Sequence, residues 1–206
     1  MRKLLASLAI TLGAVGAAHA DLQSEADAAA GREKAQTCAA CHGQEGISAA
    51  PTFPNLAGQQ ASYLAKQIMD IRDGHRNVAQ MAGQVDDFSD QDAWDVAVYY
   101  AGKDAELGQA DPAPELLEHG RELYRAGDLA KGLPACAACH SPTGQGIGSA
   151  VYPALSGQKT DYLRSTLNDF AAGERANDPN AIMRDIASKM SDRDMEAVVN
   201  YVRGLH

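Results

Sequence analysis

Two pentapeptides decide how this chain folds: Cys38-Ala39-Ala40-Cys41-His42 and Cys136-Ala137-Ala138-Cys139-His140. Both read C-x-x-C-H, the signature at which a c-type haem is attached. The spacing follows from the chemistry. Two thiols three residues apart on one turn reach the two vinyl groups of a single porphyrin, and the adjacent imidazole then lies beneath the iron as its fifth ligand. The bland alternatives fit less well. A four-cysteine zinc site would use both pairs and leave two histidines without a role. A thioredoxin-like pair expects a β-α-β surround, and no strand pattern of that kind flanks either motif. All four cysteines are consumed, so the two-disulfide reading usual for an exported chain is displaced. Cys38, Cys41, Cys136 and Cys139 are therefore expected to hold two covalent haem c groups, with His42 and His140 on the irons.

Working outward, the amino-terminal stretch places the chain in the cell. Met1, Arg2 and Lys3 precede an apolar run from Leu4 to Val15, and Ala18-His19-Ala20 supplies the small-x-small pattern of a cleavage site. Residues 1–20 read as a signal peptide, removed before Asp21. The run is shorter than the roughly 20 residues that cross a bilayer, and no later segment is apolar for long enough. The expected location is the periplasm, as a soluble protein open to peripheral membrane association. Over 206 residues, 45% are apolar and 22% charged, which describes a globular chain. Only three Phe and one Trp are present, so a prosthetic group is expected to fill the core. Lys plus Arg total 18 against 27 Asp plus Glu, and no basic stripe offers what a nucleic-acid binder needs. The acidity is uneven: residues 21–110 carry 6 basic and 14 acidic side chains, residues 111–206 carry 10 and 13.

The two motifs head an internal repeat. Pro54-Asn55-Leu56-Ala57-Gly58-Gln59 matches Pro153-Ala154-Leu155-Ser156-Gly157-Gln158, Tyr63-Leu64 matches Tyr162-Leu163, and Gly74 matches Gly173. After three further residues in the second half, Phe88-Ser89-Asp90-Gln91-Asp92 matches Met190-Ser191-Asp192-Arg193-Asp194. The repeat also selects a sixth iron ligand. Met81 and Met183 each stand seven residues before those anchors, and no other methionine pairs with a methionine. A lone Met is more often a gap-filler than a ligand; two at matched positions point to ligation. His75 and His119 are expected to be solvated.

Periodicity is helical throughout. Ala93, Val96, Ala97 and Tyr100 form one buried face, and Met195, Val198, Val199 and Val202 form its equivalent. Ser89 and Ser191 are placed as N-caps, Asp92 and Asp194 complete a capping-box-like start, and Gly102 and Gly204 are natural stops. Preceding helices are expected over Gln59–Asp73 and Lys159–Ala172, and helices leading into the motifs over Ser24–Thr37 and Glu115–Ala126. Asp111-Pro112-Ala113-Pro114 cannot continue a helix. The expected organisation is all-α: domain 1 over 21–104, a linker over 105–114 and domain 2 over 115–206, with about three main helices in each domain.

In motif order the chain resembles the cytochrome c4 family, periplasmic dihaem proteins of two class I cytochrome c domains. The resemblance covers the mature chain: CAACH, FPNLAGQ, YL, a Gly-His-Arg or Gly-Glu-Arg element, the Met loop, SDQD or SDRD, and a final helix bearing Tyr99 or Tyr201. It implies two tandem class I domains about a pseudo-twofold axis with the haem edges close together. The axial pairs it implies are His42 with Met81 and His140 with Met183. The carbonyls of Pro54 and Pro153 are implied to orient the imidazoles. Two departures touch the surroundings of haem 2: nine extra residues between Gly120 and Cys136, and Ala154 in place of Asn55.

A six-coordinate Met/His iron passes single electrons and offers no vacancy for substrate. The expected role is an electron carrier, not an enzyme, monomeric, working between a membrane quinol-oxidising complex and a terminal oxidase or reductase. The acidic first half would dock on a basic partner surface. Two alternatives stand beside it: a dihaem subunit of a larger dehydrogenase complex, which shares every motif, and a dihaem peroxidase or sulfur-oxidising dehydrogenase, which needs an open or displaceable iron.

Overall fold

A computed structural model describes residues 22–206; the expected signal peptide, 1–20, lies outside the described residues. The first half contains α1 (Ala28–Lys34), α2 (Ala39–His42), α3 (Ala61–Arg72), a 3-10 turn (Ala79–Met81) and α4 (Asp90–Ala101). The second half repeats the order: α5 (Pro114–Ala126), α6 (Ala137–His140), a 3-10 turn (Gly148–Ala150), α7 (Thr160–Ala172), a 3-10 turn (Pro179–Ala181), α8 (Ile182–Ala187) and α9 (Asp192–Arg203). Among the described residues there is no strand, only the isolated bridges Asp128↔Leu133 and Ile147↔Tyr152. No helix among them is long and apolar enough to cross a membrane.

The local code accounts for four of the helix starts. Ser89 and Ser191 each accept from the N–H of the aspartate three residues on, and that aspartate accepts from the serine N–H in return, giving two complete capping boxes. Pro114 is the first residue of α5, where a missing N–H has no helical partner to lose. The first helix differs from expectation. It starts at Ala28 and ends at Lys34, because the Asp27 carboxylate accepts from Ala29 N at 2.7 Å and caps the helix three residues after Ser24.

In each half the helix before the haem motif packs on the last helix, α1 on α4 and α5 on α9. A glycine makes each crossing close. A Cβ on Gly31 would lie 2.0 Å from the Asp95 carbonyl oxygen, and one on Gly120 would lie 2.1 Å from that of Ala197, so only glycine fits. Both expected apolar faces are buried: Val96, Ala97 and Tyr100 with Leu64 and Trp94 in one core, Val198, Val199 and Val202 with Tyr124 and Leu163 in the other.

The halves meet through equivalent segments that exchange equivalent bonds. Gln59 Oε1 accepts from Ala154 N at 2.7 Å and Gln59 Nε2 donates to Ala154 O at 2.9 Å. Reciprocally, Gln158 Oε1 accepts from Asn55 N at 2.8 Å and Gln158 Nε2 donates to Asn55 O at 2.9 Å. Residue i meeting j while the repeat of j meets the repeat of i is the signature of an isologous interface, here about an internal pseudo-twofold.

Candidate functional site

The single helical turns α2 and α6 bring both thiols and the imidazole of each motif to one side. His42 N donates to Cys38 O and His140 N to Cys136 O, each at 2.9 Å. Gly43 at φ 78° and Ser141 at φ 66° then end the turns. Both imidazoles are buried, at 7% and 8% exposure. Nδ1 of His42 lies 2.9 Å from Pro54 O and Nδ1 of His140 lies 2.9 Å from Pro153 O. A carbonyl only accepts, so Nδ1 carries the hydrogen and Nε2 is left with a bare lone pair, the form in which histidine binds iron. Burial pushes both imidazoles below the ordinary histidine range, with the proline carbonyls opposing it, so the neutral form is favoured.

None of the four cysteines is in a disulfide. Burial raises the Cys38 thiol and pushes that of Cys136 up to about 11, which suits an apolar thioether and not a thiolate. The zinc reading fails on geometry, because no group of three or more His, Cys, Asp or Glu that could hold a metal ion is gathered among the described residues.

All eight expected ligating and attaching residues line one continuous cavity of about 1220 Å³. That exceeds the roughly 300–1,000 Å³ of a usual single small-molecule site and suits two large groups in adjoining clefts. Met81 enters from the 3-10 turn of the first half and Met183 from the first turn of α8 in the second. His119, expected to be solvated, instead sits 2.7 Å from the buried carboxylate of Asp194.

The seam between the clefts carries a polar cluster that sequence reading left without a role. Gln67 Oε1 accepts from Arg76 Nη1, Arg175 Nη2 and Asn177 Nδ2, each at 2.9 Å. Arg175 Nη2 also donates to Tyr63 at 3.0 Å, and Arg76 Nη2 to Tyr162 at 3.4 Å, so each arginine reaches the tyrosine of the other half. Arg175 is 7% exposed and its Nη1 has no hydrogen-bond partner, although the residue lines the cavity. A buried guanidinium with a free donor calls for an anion, and the propionate carboxylates of haem answer it. The residues present therefore fit the group. The signal was visible: the arginines are the last residues of Gly74-His75-Arg76 and Gly173-Glu174-Arg175.

Two family models match this chain: "Cytochrome c" over residues 117–206 and "Cytochrome C oxidase, cbb3-type, subunit III" over residues 25–99. Cytochrome c4 of Pseudomonas aeruginosa is 49% identical over 207 residues, covering 100% of both chains. The chain belongs to the cytochrome c4 family. The crystal structure of reduced recombinant cytochrome c4 from Pseudomonas stutzeri superposes with a TM-score of 0.85 at 44% identity, covering 88% of this chain and 100% of that one. A Stutzerimonas stutzeri protein named thiosulfate dehydrogenase electron acceptor is 36% identical, covering 96% of this chain and 92% of that relative. As a cytochrome c4 the chain is an electron carrier with two cytochrome c domains in tandem and two covalently attached haem c groups. Each haem, when bound, supplies a one-electron iron couple. The chain's own part in cytochrome c4 chemistry is to fix the imidazole tautomer and lock the two domains together.

Proposed function

We propose that this protein is exported by cleavage after Ala20 and shuttles single electrons in the periplasm, from a membrane quinol-oxidising complex to a terminal oxidase or reductase. In this reading Cys38 and Cys41 hold haem 1 between His42 and Met81, and Cys136 and Cys139 hold haem 2 between His140 and Met183. Domain 1 covers 21–104 and domain 2 covers 115–206, joined by 105–114. The supporting observation is the pair of buried imidazoles, each with Nδ1 committed to a proline carbonyl 2.9 Å away, lining one cavity that runs through the domain seam. Clefts joined in this way favour electron passage from one haem to the other within a monomer.

Docking is expected to use the first domain, whose side chains number 6 basic against 14 acidic over residues 21–110. The test is reduction of the haem-loaded protein by vesicles bearing a quinol-oxidising complex. The expected result is rapid reduction of both haems, with a rate that falls as ionic strength rises; reduction too slow to support turnover would overturn the proposal. A second reading, acceptor for a thiosulfate-oxidising dehydrogenase, is favoured by the Stutzerimonas relative of that name. Thiosulfate with such a dehydrogenase as the sole donor system separates the two.

A further inference from the structure

The methionine loops of the two domains differ in backbone conformation. Positive φ outside glycine occurs at four described positions, all in the second half, and two are consecutive: Asn180 and Ala181, both at φ 56°. They immediately precede Ile182 and Met183, in the stretch where the second half has three extra residues. An L-residue with a Cβ resists this left-handed region, alanine more than asparagine. In the first half the corresponding loop passes Met81 with Val78 extended and Ala82 at φ −56°, and its left-handed residue is Gly83 at φ 76°.

Strained backbone persists only where its surroundings over-determine it, and here the restraint is identifiable. The Asp178 carboxylate, 4% exposed, accepts from Arg184 N at 3.0 Å and from Arg184 Nε at 2.8 Å, closing the loop across the left-handed pair. Beyond it α8 is six residues long, too short to hold its own shape without tertiary support. Ile182, beside Met183, is 38% exposed.

We infer that the sixth position of haem 2, and not that of haem 1, is exchangeable, and that it admits small neutral nitrogen donors such as imidazole. The inference rests on Met183 being the axial ligand. On exchange the iron–sulfur bond breaks, the thioether keeps its lone pair, and the incoming nitrogen supplies the pair for the new bond; no electron changes hands. The Asp178–Arg184 pair is the latch that sets how readily this happens.

The test is imidazole titration of the oxidised, haem-loaded protein at fixed pH, followed by the near-infrared sulfur-to-iron band, with the share of each haem assigned from Met81→Ala and Met183→Ala. The haem 2 share is expected to disappear first. Ala181→Gly relieves the strain and should weaken imidazole binding at haem 2 about threefold to fivefold, while Arg184→Ala removes the Nε arm of the latch, leaving the backbone N–H bond to Asp178, and should strengthen it by a similar factor. Gly83→Ala is the mirror experiment. A Cβ there meets nothing within 4 Å, so the change adds backbone strain alone and should make haem 1 exchange at about threefold to fivefold lower imidazole. Haem 1 yielding first, or Ala181→Gly leaving affinity unchanged or raised, overturns the inference. A Met183→Ala variant that keeps the haem 2 band has a different signature, and overturns the ligand assignment and the inference together.

Discussion

The last helices of the two domains begin with the same four-residue code and end in different electrostatic surroundings. Asp92 and Asp194 occupy the third helical position, and each completes a capping box with its serine. Asp92 meets one further cation, Lys34 at 2.8 Å, and its side chain keeps 20% exposure. Asp194 is 2% exposed and meets two groups, Lys131 at 2.5 Å and His119 at 2.7 Å. Lys131 comes from the extra segment between Gly120 and Cys136, which closes on itself through Asp128 and Leu133. The extra segment ahead of haem 2 thus gives the second domain a junction of α5, the inserted loop and α9 at the buried Asp194, where the first domain has only Lys34 on a partly exposed Asp92.

The sharpest way to break this comparison is to remove both carboxylates. Asp194→Ala removes a cap carboxylate that is itself buried, together with its bonds to the partly exposed Lys131 and His119, and should cost about 2 kcal/mol. Asp92→Ala removes a cap and an exposed ion pair and should cost about 1 kcal/mol. Hydrogen exchange of α9 and α4 amides reads each domain separately, and equal losses would refute the distinction. The acid limb carries a sign as well. Burial pushes the Asp194 carboxyl up, but Lys131, Ser191 and His119 outweigh it and hold it well below the ordinary range. A carboxyl lowered on folding stabilises fully above its unfolded pKa of about 3.9 and loses that contribution as pH falls through the folded value. The deficit of Asp194→Ala should therefore be full at neutral pH and shrink below about pH 4.

This contrast also marks what the sequence could tell. The two capping boxes and the buried faces of α4 and α9 are local patterns, each contained within about a dozen residues, and the structure forms them as their spacing predicts. Asp27 shows the limit even there, since a cap inside an apparently continuous helical stretch moved the start of α1. His119 was misjudged because its partner lies 75 positions away. The interdomain glutamines and arginines were visible only as matched letters. Gln59 and Gln158 stand at matched positions of the repeat, and Arg76 and Arg175 end the Gly-His-Arg and Gly-Glu-Arg elements, but nothing in one dimension says that each domain uses them on the other. The left-handed pair ahead of Met183 was hidden for another reason: it falls in the three residues without a counterpart, so the repeat had no template for them.

A similar effect sharpens the comparison at the interface, where the two domains should be nearly interchangeable. Gln59→Ala removes two bonds to Ala154 and Gln158→Ala removes two to Asn55. Exact symmetry would give equal losses. The first domain, however, keeps Asn55 where the second has Ala154, and Asn55 Nδ2 also donates to Gly157 O at 3.3 Å. That contact survives in Gln158→Ala and has no mirror image. Gln59→Ala should thus cost about 2 kcal/mol of interdomain coupling and Gln158→Ala nearer 1 kcal/mol. The measurement is the separation of the two domain transitions in thermal unfolding; the opposite ranking would remove Asn55 from the explanation.

The smallest predicted effect concerns the loop beside each proximal histidine, where a side chain and a backbone bridge do the same work. In the first domain Asn55 Oδ1 accepts from Ser48 N at 3.0 Å, and Ser48 is 1% exposed, so this bond satisfies a buried donor with no water to replace it. The second domain has alanine at that place and closes the loop through main chain: Ile147 N donates to Tyr152 O at 3.0 Å, and Tyr152 N to Ile147 O at 3.1 Å. Asn55→Ala should therefore cost about 1 kcal/mol, felt within the first domain, because the Ser48 N–H loses its acceptor. Exchange at the Ser48 amide should rise about fivefold, the factor that 1 kcal/mol gives, while exchange at Ile147 stays as it was. An unchanged Ser48 amide would mean that the first loop is already held by main chain, as the second is, and that the asparagine serves the interface alone.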